Sequence, residues 1–240
     1  MGLQLYDLAG AEPERRFSPY CWRIKLALMH KGLPFDTIPW RFTDKDAIAF
    51  SGQGRVPVLV DGEHVVFDSW TIATYLEDAY ADRPSLFRGE GGRAVTRFVN
   101  AWADGVLVGG ILRLIVTDIL AHLDKKDRTY FRETREKRFG VTLETVTADR
   151  ETNVLAFRKV LEPIRIVLAA QPYFGGEAPA YADYAVFSCF QWARCTSSFP
   201  LLLKDDPVWV WRDRLLSTFN GFARNAWLSG VSSPPRAGNL

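Results

Sequence analysis

The chain has 240 residues, 48% of them hydrophobic and 24% charged, and carries a net charge of only +2. That length suits one large domain or two small ones, and that balance excludes bulk disorder. Near-neutral charge gives no footing for a nucleic-acid or anionic-membrane partner, and no apolar run is long enough to span a bilayer, so neither is expected.

Leu3 to Asp7 predicts a short strand, followed by a polar loop from Ala9 to Phe17. Ser18-Pro19 then opens a helix, Ser as a favoured cap and Pro as a favoured first residue, and Gly32 closes it. Phe35 to Pro39 predicts a second strand, and Asp44 to Phe50 a short, weak helix. Val56 to Val60, Asp61-Gly62 and Val65 to Phe67 spell a hairpin, because Asp-Gly between β-branched runs favours a tight turn. Asp68-Ser69 leads into a helix ending near Tyr80, with Ser69 read as its cap. A βαβ unit requires a parallel pair and the hairpin adds antiparallel strands, so residues 1–87 predict a thioredoxin-like α/β domain.

The Gly-rich break at residues 88–93 reads as a linker. Residues 94–240 contain no strand signal and predict an all-α domain. Helical patterning covers Ala94 to Leu123, Thr129 to Ala170, Tyr181 to Thr196 and Pro207 to Phe222, with a break at Pro163 and a loose, Pro-rich tail from about residue 231. Gly105, Gly109 and Gly110 are costly inside a helix and suggest close packing or a widened cavity. The charges of Lys125 to Arg138 alternate in sign and read as a solvated helical face.

Three constellations carry possible chemistry. Ser18-Pro19-Tyr20-Cys21 lies where a thioredoxin-like fold places its active CxxC, with Ser in the first slot and Cys21 in the second. A helix N-terminus offers free N–H groups and partial positive charge, which stabilise a thiolate, and a Ser hydroxyl can donate to it; the plain alternative is that Ser18 only caps the helix. Gly54-Arg55-Val56-Pro57 opens a strand with a Pro, and a cis Val56-Pro57 bond turns the Val56 backbone toward a peptide-like ligand; otherwise this is an edge-strand Pro. Asp68 and Ser69, at a helix start, suit a ligand's ammonium and carboxylate, or are simply a capping pair. The cysteines Cys21, Cys189 and Cys195 and the histidines His30, His64 and His122 share no metal spacing, so no metal is expected. Sparse cysteines and the lack of a secretory signal at Met-Gly-Leu-Gln-Leu point to the cytoplasm.

Taken together, these motifs resemble the glutathione S-transferase family over nearly the whole chain. The resemblance implies glutathione as co-substrate, no metal and a homodimer. It matches Ser18 to the family's thiol-activating serine, Val56 and a cis Pro57 to its backbone clamp beside Arg55, and Asp68 with Ser69 to its acidic-serine pair. The long loop from Leu8 to Phe17, the run Ser18 to Lys25 and the segment Val66 to Trp70 look like the bacterial lignin β-etherases and related fungal transferases. That likeness implies thiolate attack on an apolar aromatic electrophile such as a β-aryl ether, in a detoxification-type activity. Phe17, Trp40, Trp102, Ile111 and Trp192 are the candidates for the apolar half-site. Two other readings stay open: a non-catalytic carrier of hydrophobic ligands, and a disulfide reductase using Cys21. The family's cap position before Asp183 holds Ala180 here instead of Ser or Thr.

Overall fold

A computed structural model describes residues 2–228; the tail expected from about residue 231 lies outside the described residues. Strand β1 (Leu3–Leu8) leads through the loop to helix α1 (Pro19–His30), β2 (Phe35–Trp40) and a 3-10 turn at Lys45–Ser51. The hairpin β3 (Val58–Asp61) and β4 (His64–Phe67) follows, then α2 (Ser69–Ala79). The sheet order is β2-β1-β3-β4, with β1 parallel to β2 and antiparallel to β3, and β3 antiparallel to β4. This small mixed sheet with flanking helices is the thioredoxin-like arrangement that the element order predicts.

The helical half comprises α3 (Glu90–Trp102), a π-helical turn at Ala103–Val108, α4 (Gly109–Ala121), α5 (Lys125–Phe139), α6 (Leu143–Thr147), α7 (Arg150–Val160), α8 (Glu162–Ala170), α9 (Tyr181–Thr196), α10 (Pro207–Leu216) and α11 (Thr218–Gly221). One expectation is corrected. The Gly-rich stretch 88–93 is not a linker: Gly89 is the N-cap, at φ 98°, and Gly91 and Gly92 lie inside α3. The helical span from Thr129 breaks between Val160 and Glu162, as Pro163 in the first turn of α8 leads one to expect, and divides also at Gly140, which ends α5 in the left-handed region. Of Gly105, Gly109 and Gly110, it is Gly110 that has a packing reason, since a Cβ there would meet the Phe157 ring at 2.9 Å. Among the described residues, no helix is long and apolar enough to cross a membrane.

Helix α9 is buried along nearly its whole length and packs on α1, joining the two halves. The cross-links are polar as well as apolar. Arg23 of α1 is completely buried; it pairs with Asp104 at 2.7 Å and donates to Asn100 and Ser188, both at 3.2 Å. His30 lies 2.8 Å from the Tyr184 hydroxyl and 3.1 Å from the Ser85 carbonyl.

Burial pushes the His30 imidazole below its ordinary pKa, and burial followed by the Arg15 charge does the same to His122. A His with a depressed folded pKa takes up protons more readily when unfolded. Its stabilising contribution is complete above the unfolded value of about 6.5 and is lost as pH falls through the folded value. The urea midpoint is therefore expected to fall between about pH 7.5 and about pH 5.5. His30→Gln should flatten part of that slope; an unchanged slope would show that other groups set it.

Candidate functional site

The N-terminus of α1 forms one wall of the site. Ser18 is its N-cap, with Oγ accepting the Cys21 N–H at 3.3 Å and Pro19 in the first helical position. Ser18 is only 3% exposed, and its hydroxyl also interacts with the Cys21 thiol, which it favours as the thiolate. The site therefore holds a hydroxyl, able both to accept and to donate, next to a positive helix end. Cys21 lies one turn further in and is fully buried, with Sγ 3.9 Å from the Tyr6 carbonyl. Burial, and then the Asp7 carboxylate, pushes its thiol well above the ordinary range. Asp7 is itself buried and paired with Lys25 at 2.7 Å.

The loop before Ser18 is pinned rather than free. Ala9 N–H donates to the Trp40 carbonyl, Ala11 N–H to the His122 carbonyl, and buried Arg15 to the carbonyls of Cys195 and Leu228. Gly10 is needed there, because a Cβ would stand 2.7 Å from the His122 carbonyl oxygen.

The second wall is the segment before β3. The Val56–Pro57 bond is cis, Pro57 is buried, and strand pairing begins only at Val58, which leaves Val56 ahead of the ladder. Arg55 beside it is exposed. The third wall is the start of α2. Here Asp68, not Ser69, is the cap: its carboxylate accepts from the Trp70 and Thr71 N–H groups, both at 3.0 Å. Asp68 sits at φ 67° and ψ 129°, a conformation that costs a non-glycine residue of order 1–3 kcal/mol and persists where its surroundings impose it. Ser69 is buried in the first turn, and its carbonyl accepts from the Tyr181 hydroxyl at 3.0 Å.

The five expected apolar-site residues differ in burial, although all lie in or against one core cluster. Phe17, Trp40, Ile111 and Trp192 are all buried in the core. Trp40 also donates its indole N–H to the Asp44 carbonyl at 2.7 Å, and Phe17 packs on Phe42. Trp102 lines a different place, an apolar groove of about 870 Å³ between α3 and α8, with Val95, Phe98 and Ile166. Aromatic residues at helical spacing cannot be sorted into core and pocket by period alone, since both bury one face.

Sequence patterning did not single out two features at this face. Tyr20, in the first turn of α1, is half-buried, with its ring 5.0 Å from the Arg23 guanidinium; burial, and then Asp104, pushes its phenol up. Helix α5 is held against the N-terminal half by Asp127, whose carboxylate accepts from the Phe42 and Thr43 N–H groups at 3.0 Å and from the Thr43 hydroxyl at 2.8 Å.

With this geometry in place, the comparisons are decisive for the family. The model described as "Glutathione S-transferase, N-terminal domain" matches residues 17–79, and that described as "Glutathione S-transferase, C-terminal domain" matches residues 94–199. The chain belongs to the glutathione S-transferase family. Among curated relatives, glutathione S-transferase Z2 of Arabidopsis thaliana is 36% identical over 94 residues, which is 37% of this chain and 40% of that protein. The match thus spans about two fifths of that relative's length. Among solved structures, a glutathione transferase of Phanerochaete chrysosporium is 27% identical, with a TM-score of 0.74 and 92% of each chain covered. A glutathione S-transferase of Ceriporiopsis subvermispora, solved in complex with glutathione, has a TM-score of 0.81 at 24% identity, covering 90% of this chain and 96% of that one. At that identity the second structure speaks for the shared fold. Asp183 is buried in the first turn of α9; among the described residues no cluster suited to a metal occurs.

Proposed function

We propose that the chain is a glutathione transferase acting on an apolar aromatic electrophile. The observation that carries the reading is the Ser18 hydroxyl, which caps the N-terminus of α1 where the helix's free N–H groups lie. A free thiol of pKa about 8.5 is mostly protonated at neutral pH. A helix N-terminus and one donated hydrogen bond favour the thiolate and so raise the reactive fraction. Glutathione needs an anion site, a carboxylate for its ammonium and a backbone partner for its central peptide. The first turn of α2 with Ser69, the Asp68 carboxylate, and Val56 beside Arg55 and Pro57 are the groups that would serve these ends. In this reading the thiolate attacks an electrophilic carbon and displaces a halide or a phenolate. A phenolate leaves without a strong acid because its pKa, like that of Tyr, is about 10. The likeness to fungal transferases motivates β-aryl ethers as the first substrates to try.

We assign the chain to the cytoplasm and to a homodimer on the same family basis. Val95, Phe98 and Ile166, at 66%, 72% and 65% exposure, crowd one groove, and a second copy would cover them.

Incubation with glutathione and a β-aryl ether bearing a fluorescent phenol, alongside 1-chloro-2,4-dinitrobenzene, tests the reading. Phenol release supports ether cleavage, and dinitrobenzene conjugation alone leaves a general transferase. Silence in both, with tight binding of apolar dyes, would overturn catalysis in favour of a carrier. Disulfide reduction is expected to be negligible, because Cys21 is buried and its thiol is held protonated. A robust reduction of a glutathione mixed disulfide that disappears in Cys21→Ser would refute this.

A further inference from the structure

Helix α5 presents the solvated face that its alternating charges suggest, with Lys125, Lys126, Arg128, Glu133, Lys137 and Arg138 exposed. Arg132 conforms, pairing with Glu136 and Glu144, both at 2.8 Å. Arg135, one turn on, behaves differently. It is half-buried, with its guanidinium 4.4 Å from the Phe131 ring and 5.0 Å from the Phe42 ring. Its hydrogen-bond acceptor is the neighbouring Thr134 hydroxyl, at 2.8 Å. Burial lowers its pKa, Tyr130 opposes this, and the charges of Arg138 and Arg55 lower it further; no carboxylate acts on it.

These cations lie along the mouth of the site described above. Lys45 donates to the Gly54 carbonyl at 2.7 Å, just before Arg55 and the Val56–Pro57 clamp, and its ammonium stands 5.4 Å from the Tyr130 ring of α5. Arg138 acts electrostatically on Tyr20, two residues beyond Ser18. Of the acids of the neighbourhood, Asp127 is committed to the loop after β2, Glu136 to Arg132, and Asp104 to Arg23 and Asn100, while Glu133 is exposed to solvent beside Tyr130. Among the described residues, Arg55, Arg135 and Arg138 form no ion pair. A half-buried guanidinium without a counter-ion, flanked by aromatic rings, is matched by a planar anion attached to an aromatic ring.

We propose that Arg135 and Arg138 of α5, with Phe42 and Tyr130, form a subsite for an aromatic carboxylate, so that the preferred second substrate is an acid rather than a neutral arene. This rests on the transferase reading. The charges of Arg55 and Arg138 both act on Arg135, and that of Arg138 on Tyr20, in the first turn of the helix that Ser18 caps. The glycine carboxylate of glutathione has the same chemistry, and the experiment separates the two sources.

Turnover of 4-chloro-3,5-dinitrobenzoate is compared with that of 1-chloro-2,4-dinitrobenzene, each divided by its uncatalysed rate with glutathione. The wild type should prefer the acid by about tenfold in kcat/KM, and Arg135→Gln should bring the ratio near one. Should Arg135→Gln fail to fold, exposed Arg138→Gln carries the test, with a smaller loss of preference. A binding arm needs no turnover: unreactive 4-nitrobenzoate should bind more tightly than 4-nitrobenzamide, and less so in the variants. Equal treatment of acid and amide by the wild type in both arms overturns the proposal. A wild-type ratio kept in the variants, with glutathione KM raised for both electrophiles, overturns it in favour of the glycine carboxylate. Absence of turnover together with selective binding of the nitrobenzoate sinks the transferase reading and leaves the acid subsite standing.

Discussion

Asp183→Ala is expected to destabilise the protein by about 3–5 kcal/mol, although the side chain is far from any reacting atom. The carboxylate is fully buried and accepts from four donors: Phe174 N–H at 2.8 Å, and Gly175 N–H, Ala180 N–H and the Trp211 indole N–H, each at 3.0 Å. Its removal leaves those donors buried with nothing to replace it. The cap residue cannot compensate, because Ala180 has no side-chain acceptor. The cost is a large share of the roughly 5–15 kcal/mol that keeps a domain folded. Asp183→Asn, which keeps an acceptor oxygen, should lose about 1–2 kcal/mol. The check is a urea titration with unchanged slope, or a melting temperature lower by roughly 8 °C or more for the Ala variant. A drop of only 1–2 °C would mean that the loop at Phe174–Gly175 finds other partners. The effect should reach the site as well, because α9 holds α1 through Ser188 and Arg23, and α1 carries Ser18.

The elements of the sheet were legible because each signal was local. Ser18-Pro19 marks the start of α1, Asp61-Gly62 the hairpin turn, and the alternation around Val58 and Val65 the paired strands. The breaks in the helical half were harder to place. Gly91 and Gly92 resemble a linker in composition, yet a left-handed Gly89 lets the helix begin directly after it. The start of α2 was misread by one residue, because Asp and Ser are both good caps and only the backbone at Asp68 decides between them. The apolar side was illegible for a deeper reason. Phe17, Trp40, Ile111 and Trp192 have the same composition and spacing whether they fill a core or line a pocket, and only the packing of loop and helices against them shows which. Arg135 was hidden in the opposite way: its sequence neighbours Glu133 and Glu136 suggest pairing, while the structure gives Glu136 to Arg132 and leaves Arg135 against Phe42.

Ser18→Ala is expected to lower kcat by roughly 10- to 100-fold while the dissociation constant of glutathione changes by less than about threefold. The hydroxyl would donate one charge-assisted hydrogen bond to a thiolate, worth about 1.5–3 kcal/mol, and that bond is stronger to the anion than to the neutral thiol. Ground-state binding rests on other groups, namely Val56, Asp68 and Ser69 in the reading above. The variant also loses the cap bond to Cys21 N–H, at a cost of about 1 kcal/mol of stability. A lower melting temperature alone therefore decides nothing. The discriminating measurement is the pH profile. With the donor gone, the thiol of bound glutathione should titrate nearer its free value of about 8.5, so the acid limb of kcat/KM moves up in pH and the ultraviolet absorbance of bound thiolate at neutral pH diminishes. At a pH well above that value the variant should recover much of the lost rate, because the thiolate then forms without help. A variant that melts earlier yet keeps the wild-type pH profile and thiolate absorbance would show that Ser18 serves α1 only as a cap. In that case the sulfur would have to be activated by the helix N-terminus alone, or by Tyr20, which lies within the same turn.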